Sequence, residues 1–274
     1  MSSIIPLLDV RNLSLVYPSR HTLFGTHTSA TRAVDDVSFT VHAGETLALV
    51  GESGSGKSSL ARTILRLVEP TSGTILFDGA DVLVLDRPAL RRMRHHFQIV
   101  FQDPGPALNP RMMVSALIRE GIEAHNIARG AEADERVARL LDEVDLRRTD
   151  GARFPHELSG GQRQRVAIAR ALAVEPKFVV LDEAVSALDV TVQAQVTDLL
   201  ARLQRDRGLS YLFIAHNLAL VERIASRVAV MYLGRIVEHG TVAQLYASPT
   251  HPHTRALLDA VPIPDPRRHA ARTV

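Results

Sequence analysis

The 274 residues contain no cysteine and no tryptophan, and only 4 % are aromatic. Without cysteine there is no disulfide, no thiolate metal ligand and no iron–sulfur ligand. An excess of one charge is lacking too. The 32 Lys and Arg against 30 Asp and Glu leave +2, too little to argue for nucleic acid as a partner. No apolar run approaches the roughly 18 residues that a membrane-spanning helix needs. The first nine residues, Met-Ser-Ser-Ile-Ile-Pro-Leu-Leu-Asp, lack the basic start and cleavage site of a signal peptide. With the missing cysteine, this gives the expectation of a cytosolic location. Arg87, Arg91, Arg92, Arg94, His95 and His96 form a basic cluster. No aromatic residues are interleaved for base stacking, so it reads as a solvated helix face rather than a phosphate-backbone contact.

What is abundant is apolar: 46 % of residues are hydrophobic and 23 % charged. That balance belongs to a globular chain of one large or two modest domains. One stretch organises it: Gly51-Glu52-Ser53-Gly54-Ser55-Gly56-Lys57-Ser58-Ser59. It follows the apolar run Thr46-Leu47-Ala48-Leu49-Val50, suited to a buried parallel strand, and precedes apolar residues at helical spacing over 60–68. Strand, glycine-rich turn, Gly-Lys-Ser and helix form a P-loop in the context it requires. Its glycines let backbone N–H groups point inward at phosphate oxygens, and the helix start adds partial positive charge. Lys57 would reach the β- and γ-phosphates, and the Ser58 hydroxyl would ligate Mg²⁺. A nucleoside triphosphate is the expected ligand.

Other segments carry matching chemistry. Phe178-Val179-Val180-Leu181 is an apolar strand ending in Asp182 and Glu183. Beside a P-loop strand, Asp182 suits the Mg²⁺ shell, and Glu183 suits the attacking water as general base. Ser159 can N-cap the helix 163–172, and Gly160, Gly161 and Gln162 lie in its first turn, which makes a second anion-binding helix start. Two glycines there cost about 2 kcal/mol of helix propensity against alanine, so close approach by another group is expected. Gln102 ends the apolar strand 98–101, where a neutral amide can contact Mg²⁺ or its water. His216 ends the strand 211–214 as a candidate γ-phosphate contact.

Along the chain, strands are predicted at 9–17, 33–42, 73–78 and 227–231, with helices at 192–205 and 218–224. Residues 19–31 read as a surface loop. From Asp103 to about Glu175 apolar residues recur at three-and-four spacing, namely Val114, Leu117, Ile118 and Ile122, then Val137, Leu140, Leu141 and Val144. This predicts a helical insertion in an α/β core. Beyond Pro249 the chain is rich in Pro and His, with one helical patch at 254–260. His251-Pro252-His253 lacks a carboxylate and makes a poor metal site.

In the order P-loop, Gln102, Leu158-Ser159-Gly160-Gly161-Gln162, Asp182-Glu183, Ser186-Ala187-Leu188-Asp189 and His216, the chain resembles an ATP-binding cassette (ABC) ATPase over essentially its whole length. The resemblance implies a P-loop NTPase core of mainly parallel sheet with flanking helices, an N-terminal antiparallel β subdomain and an α-helical insertion. The corresponding boundaries are 1–102 with 176–248 for the core, 103–175 for the helical part and 249–274 for the tail. It further implies that Tyr17 stacks on adenine and that residues 159–162 bind the γ-phosphate of ATP held by a partner subunit. Asp189 would lie at the dimer interface, so that two subunits sandwich two ATP molecules head to tail.

Finer features are similar to oligopeptide and dipeptide permease ATPases. They are Phe101-Gln102-Asp103-Pro104, Leu108-Asn109-Pro110-Arg111, Asp182-Glu183-Ala184-Val185-Ser186, and a tail with His251-Pro252-His253-Thr254 and Val261-Pro262-Ile263-Pro264-Asp265-Pro266. Leu23-Phe24-Gly25 resembles one of the two paralogous ATPases that such systems pair. The implied partners are two integral membrane permease subunits, a second ABC ATPase (paralogous, or a second copy) and an extracytoplasmic solute-binding protein, without nucleic acid. The implied place is the cytoplasmic face of the inner membrane, and the implied cofactors are ATP and Mg²⁺. Ala184, Asn217 and Ala107 depart from the common Pro, Asp and Ser, and none removes a phosphate or metal ligand. Two rival readings stand beside the importer. One is a non-transport ABC ATPase acting on DNA or ribosomes, opposed by the single cassette and missing heptads. The other is an exporter ATPase, opposed by the tail.

Overall fold

The computed structural model describes residues 5–18 and 30–260. The expected loop 19–31, apart from its last two residues, lies outside them, as do the 23–25 stretch and the 261–266 part of the tail.

The chain opens with β1 (Leu8–Tyr17), β2 (Thr31–Val41) and β3 (Thr46–Val50), then α1 (Lys57–Ile64). β4 (Ser72–Phe77), β5 (Ala80–Asp81), α2 (Arg87–Met93) and β6 (Phe97–Val100) follow. Between β6 and the next strand the chain is helical only: α3 (Pro104–Ala107), α4 (Val114–Ala124), α5 (Gly130–Glu143), two 3₁₀ turns (Arg148–Ala152, Pro155–Glu157) and α6 (Gly160–Leu172). Then come β7 (Phe178–Asp182), α7 (Val190–Arg207), β8 (Ser210–Ala215), α8 (Leu218–Ile224) and β9 (Arg227–Tyr232). β10 (Arg235–Thr241), α9 (Val242–Ala247) and α10 (Pro252–Asp259) end the described chain.

Two sheets form. An antiparallel one runs β2-β1-β4-β5, and a six-stranded one runs β10-β9-β3-β8-β7-β6, parallel except where β10 joins β9. Every residue of β3, β7 and β8 is buried. That is why these strands read as unbroken apolar runs rather than alternating ones. Their side chains divide between two cores. Leu47, Leu49, Val180, Leu212 and Ile214 pack with α1 and the antiparallel sheet, while Ala48, Val50, Val179, Leu181 and Phe213 pack with the helices. Three of the few aromatics tie the sheets together. The Phe77 ring of β4 meets Phe97 of β6 edge-on at 5.3 Å and lies 6.3 Å from Phe178 of β7.

Local departures have local causes. Along β1 the buried positions run Leu8, Val10, Leu13, Leu15. The alternation slips at Arg11 and Asn12, because Asn12 adopts a left-handed backbone (φ 46°) and the register shifts there. Such a bulge keeps both halves of the strand on one core. β10 has no counterpart among the predicted strands. Its Arg-Ile-Val-Glu-His-Gly-Thr carries little apolar content, as suits an edge strand that is mostly half-buried or exposed. In the helical segment the predicted positions Val114, Leu117, Ile118, Ile122, Val137, Leu140, Leu141 and Val144 are all buried. Arg87, Arg91, Arg92 and Arg94 are exposed as expected, whereas His95 and His96 are half-buried, with ring centroids 3.7 Å apart and inclined by 40°. Among the described residues no helix is long and apolar enough to cross a membrane.

Asp150 holds the turn between α5 and α6. It is 1 % exposed and accepts from the Arg147 backbone N–H (3.1 Å), the Arg147 guanidinium (3.1 Å) and Arg153 (3.3 Å). Burial alone would raise its pKa, but the Arg147 and Arg153 hydrogen bonds outweigh that and hold it below the ordinary 3.8. Its contribution to stability is therefore complete at neutral pH and disappears as the pH falls below that value. Asp150→Ala is expected to destabilise by about 1–3 kcal/mol in urea unfolding at pH 7, with the gap closing on acidification. A gap that does not depend on pH would contradict the ionic role.

Candidate active site

The parallel strands deliver the chemistry, because their C-terminal ends face one cleft. β3 runs into the 51–56 loop, whose glycines are needed for two separate reasons. Gly51 (φ 154°) and Gly56 (φ 108°) have no room: a Cβ would sit 2.1 Å from the Met231 carbonyl oxygen and 2.1 Å from that of Ala33. Gly54 (φ 81°) has space but needs the left-handed backbone. Within the loop the Lys57 ammonium donates to the carbonyls of Gly51 (2.8 Å) and Glu52 (2.7 Å), with the Ser55 hydroxyl at 3.4 Å. Lys57 is 4 % exposed, and burial lowers its pKa against the pull of Glu183, Asp182 and Glu52.

Asp182, at the end of β7, accepts from the Ser58 hydroxyl at 2.9 Å across 124 residues of sequence. Burial raises the Asp182 pKa, opposed by the Ser58 hydrogen bond and by Arg62. Glu183 follows in a left-handed backbone (φ 50°), held by its N–H to the Ile214 carbonyl (3.1 Å) and by Ser186 N–H and Oγ on its own carbonyl (3.0 and 2.9 Å). A non-glycine residue there costs on the order of 1–3 kcal/mol, a strain typical of functional positions. The turn sends its side chain into the cleft, and His216 Nδ1 lies 3.7 Å from Glu183 Oε2. Asn217 caps α8 by accepting from the Ala219 N–H (3.0 Å), a role that an aspartate would fill equally.

The cleft has a volume of about 690 Å³. Of the predicted site residues, Tyr17, Ser53, Gly54, Gly56, Lys57, Ser58, Ser59, Gln102 and Glu183 line it, and the Tyr17 hydroxyl reaches Ser59 Oγ at 3.4 Å. Gly51, Glu52 and Ser55 complete the loop behind them. Thr31, Arg32 and Ala33 of β2 and the Leu233-Gly234 turn also line the cleft and were not predicted. Gly234 donates its N–H to the Ser55 carbonyl (3.0 Å), so this turn braces the loop. Gly234 after an apolar strand was the one sequence signal available. The contribution of Ala33 is a backbone oxygen and leaves no signal.

Ser159, Gly160, Gly161, Gln162 and Asp189 do not line this cleft. They form a second group. Ser159 Oγ accepts from the Gln162 N–H (3.2 Å), while Gln162 Oε1 accepts from the Ser159 N–H (2.9 Å), a reciprocal cap on α6. Asp189 caps α7 by accepting from the Val192 N–H (2.9 Å). The two helix starts touch: a Cβ on Gly161 would lie 2.6 Å from Val192 Cγ1, and one on Gly160 would lie 3.7 Å from Leu188 Cδ2. The close approach expected at the paired glycines is thus made at Gly161 by a side chain of the same chain.

The sequence pattern of the ABC transporter family matches residues 34–186, more than half of the chain. The chain is 51 % identical over 269 residues to the glutathione import ATP-binding protein GsiA of Salmonella choleraesuis (strain SC-B67), covering 98 % of this chain and 43 % of that protein. It therefore spans less than half the length of those relatives. A putative peptide import ATP-binding protein of Brucella ovis is 50 % identical over 270 residues, covering 98 % of this chain and 83 % of that one. In structure, cbiO1 of Clostridium perfringens, part of the ABC transporter complex cbiONQ, superposes with a TM-score of 0.75 at 30 % identity, over 89 % of this chain and 91 % of that one. The cassette MJ0796, in a dimeric post-hydrolysis state bound to ADP and Pi, gives 0.75 at 26 % identity, over 86 % and 98 %.

The packing of Gly161 generates its own test. Valine is stiff at χ1 and cannot easily turn away. Gly161→Ala is expected to lower unfolding free energy by about 1–3 kcal/mol, and adding Val192→Ala should recover most of it. Strictly additive losses in denaturant melts would reject the contact as the reason for this glycine.

Proposed function

The chain belongs to the ABC transporter family, and from that premise we propose that it is the ATP-hydrolysing subunit of an importer for peptides or a related solute such as glutathione. One observation carries the ATPase reading. A buried lysine inside a glycine loop, a Ser58–Asp182 hydrogen bond and the Glu183 carboxylate converge on one cleft. The names of the import ATP-binding relatives support the importer reading over a DNA-acting, ribosome-acting or exporting one.

In this reading the 51–59 loop binds the ATP phosphates through its inward N–H groups, and Lys57 exchanges its carbonyl partners for phosphate oxygens. Tyr17 packs on the adenine. Ser58, Asp182 and Gln102 would hold Mg²⁺, which bound there would neutralise phosphate charge. The donors fit: a hydroxyl and a buried carboxylate 2.9 Å apart are hard oxygens, and Mg²⁺ needs few of them from protein. Among the described residues no cluster of three or more His, Asp or Glu is arranged for a metal, as fits a cation that shares its shell with phosphate and water. Glu183 takes the proton of the attacking water, and His216, whose Nδ1 lies 3.7 Å from that carboxylate, contacts the γ-phosphate.

Residues 159–162 and Asp189, outside the cleft and at two helix starts that touch through Val192, act on the nucleotide of a second subunit. The dimeric state of the MJ0796 cassette supports that arrangement. The second subunit is a paralogue or another copy. Two membrane permeases form the solute path, and an extracytoplasmic binding protein feeds it. The helical segment 103–175, hinged at Gln102, faces the permeases from the cytoplasmic side of the inner membrane. The core comprises 1–102 and 176–248, and the tail 249–274.

Glu183→Gln is expected to bind ATP, dimerise and turn over about 10²–10⁴ times more slowly. Steady-state hydrolysis near the wild-type rate would sink the general-base role. Ser159→Arg should abolish hydrolysis in the assembled dimer while ATP binding by titration stays unchanged, and normal turnover would reject the action in trans.

A further inference from the structure

The His-Pro-His segment has no part in the function as described so far. In the fold it begins α10, whose attachment is specific. Glu238 of β10 accepts from Thr250 N–H (2.8 Å), Thr250 Oγ1 (2.9 Å) and His251 N–H (2.9 Å). Burial alone would raise the Glu238 pKa, but the hydrogen bonds from the Thr250 hydroxyl and the N–H groups of Thr250 and His251 hold it well below the ordinary 4.5. His251 Nδ1 then accepts from the His253 N–H (3.1 Å) and caps the helix.

This anchoring turns His253 inward, with 9 % of its side chain exposed. Its ring lies 4.2 Å from that of Tyr232, inclined by 35°. Its Nδ1 is 3.9 Å from Glu52 Oε1, within ion-pair reach, and its Nε2 is buried without a hydrogen-bond partner. Both neighbours lead to the nucleotide loop. The Glu52 carbonyl is one of the two that hold Lys57. Tyr232 precedes Leu233 and Gly234, which line the cleft, and Gly234 braces Ser55.

We propose that α10 is a positioning element for the nucleotide loop, and that His253 acts by holding Glu52 and Tyr232 in place. A loop built on three glycines has a large conformational entropy of its own and relies on outside contacts for a single shape. β2 and β9 press on it through the carbonyls of Ala33 (at Gly56) and Met231 (at Gly51). His253 supplies a contact from α10. A loop ordered in advance binds phosphate without losing that entropy at the moment of binding.

The proposal rests on the ATP-binding reading, so its test has one arm that needs no nucleotide. In the full chain without ATP, hydrogen–deuterium exchange of the 50–57 backbone is compared for wild type, His253→Ala and Glu238→Gln, which weakens the anchor. Both variants are expected to exchange about threefold to tenfold faster there, the size that one lost polar contact gives. With Mg-ATP their KM should rise by a similar factor while kcat stays within about twofold. His253→Gln keeps a side-chain N–H toward Glu52 and should recover part of both effects. It also serves in place of His253→Ala should that variant not fold. Unchanged exchange and KM in the folded variants overturn the proposal, as does a fall in kcat alone or a His253→Gln no better than alanine. A wild-type protein that turns over no ATP rejects the functional reading instead, and the exchange arm still decides the positioning role.

Discussion

Lys57 is 4 % exposed, and an ammonium withdrawn from water must recover its hydration from fixed oxygens. Here the oxygens are carbonyls of its own loop, at 2.7 and 2.8 Å. Only a loop curled tightly around the charge can present them, and that curl forces glycine at Gly51, Gly54 and Gly56. It also forces the neighbours, since the loop is pressed against backbone oxygens of β2 and β9 at distances that exclude a Cβ. Burying one cation thereby dictates where the antiparallel sheet must sit on the parallel one. The carboxylates of Asp182 and Glu183 at the end of β7 balance the charge that the burial leaves.

The predicted site residues fall into two places. One group meets in the cleft. The other joins the starts of α6 and α7, through the Ser159–Gln162 reciprocal cap and the Gly161–Val192 contact. α7 starts seven residues after Glu183, so the second group is mechanically close to the first while chemically separate from it. This division gives the paired-subunit reading its physical content. In that reading, the group that completes a partner's cleft is presented by this chain on another surface.

Much of this was legible in the residues. β3, β7 and β8 are buried on both faces and so announce themselves as apolar runs, and the polar residues at the ends of two of them, Asp182-Glu183 and His216, mark the site. The helical segment showed itself because α4 and α5 keep a strict spacing of buried positions. What stayed hidden lacked a side-chain signature. The oxygens of Ala33 and Met231 that shape the loop belong to backbone, which any residue supplies. β10 is an edge strand with little apolar content. The slip at Asn12 breaks the alternation on which strand reading depends. The paired glycines did signal crowding, but the residue that crowds Gly161 lies 31 positions further on in the same chain.

The strand order has a consequence for how such a chain is made. β3, which carries the nucleotide loop, is flanked in the sheet by β8 and β9. Residues 46–50 therefore leave a ribosome well before 210–232, the segment that completes their pairing. At about 5–20 residues per second the interval is roughly ten to thirty seconds, during which an apolar strand with two open edges waits in a crowded cell. The most functional part of the molecule is thus its most vulnerable part during synthesis. The antiparallel strands and α1, all local to it in sequence, provide the shelter available until the rest arrives.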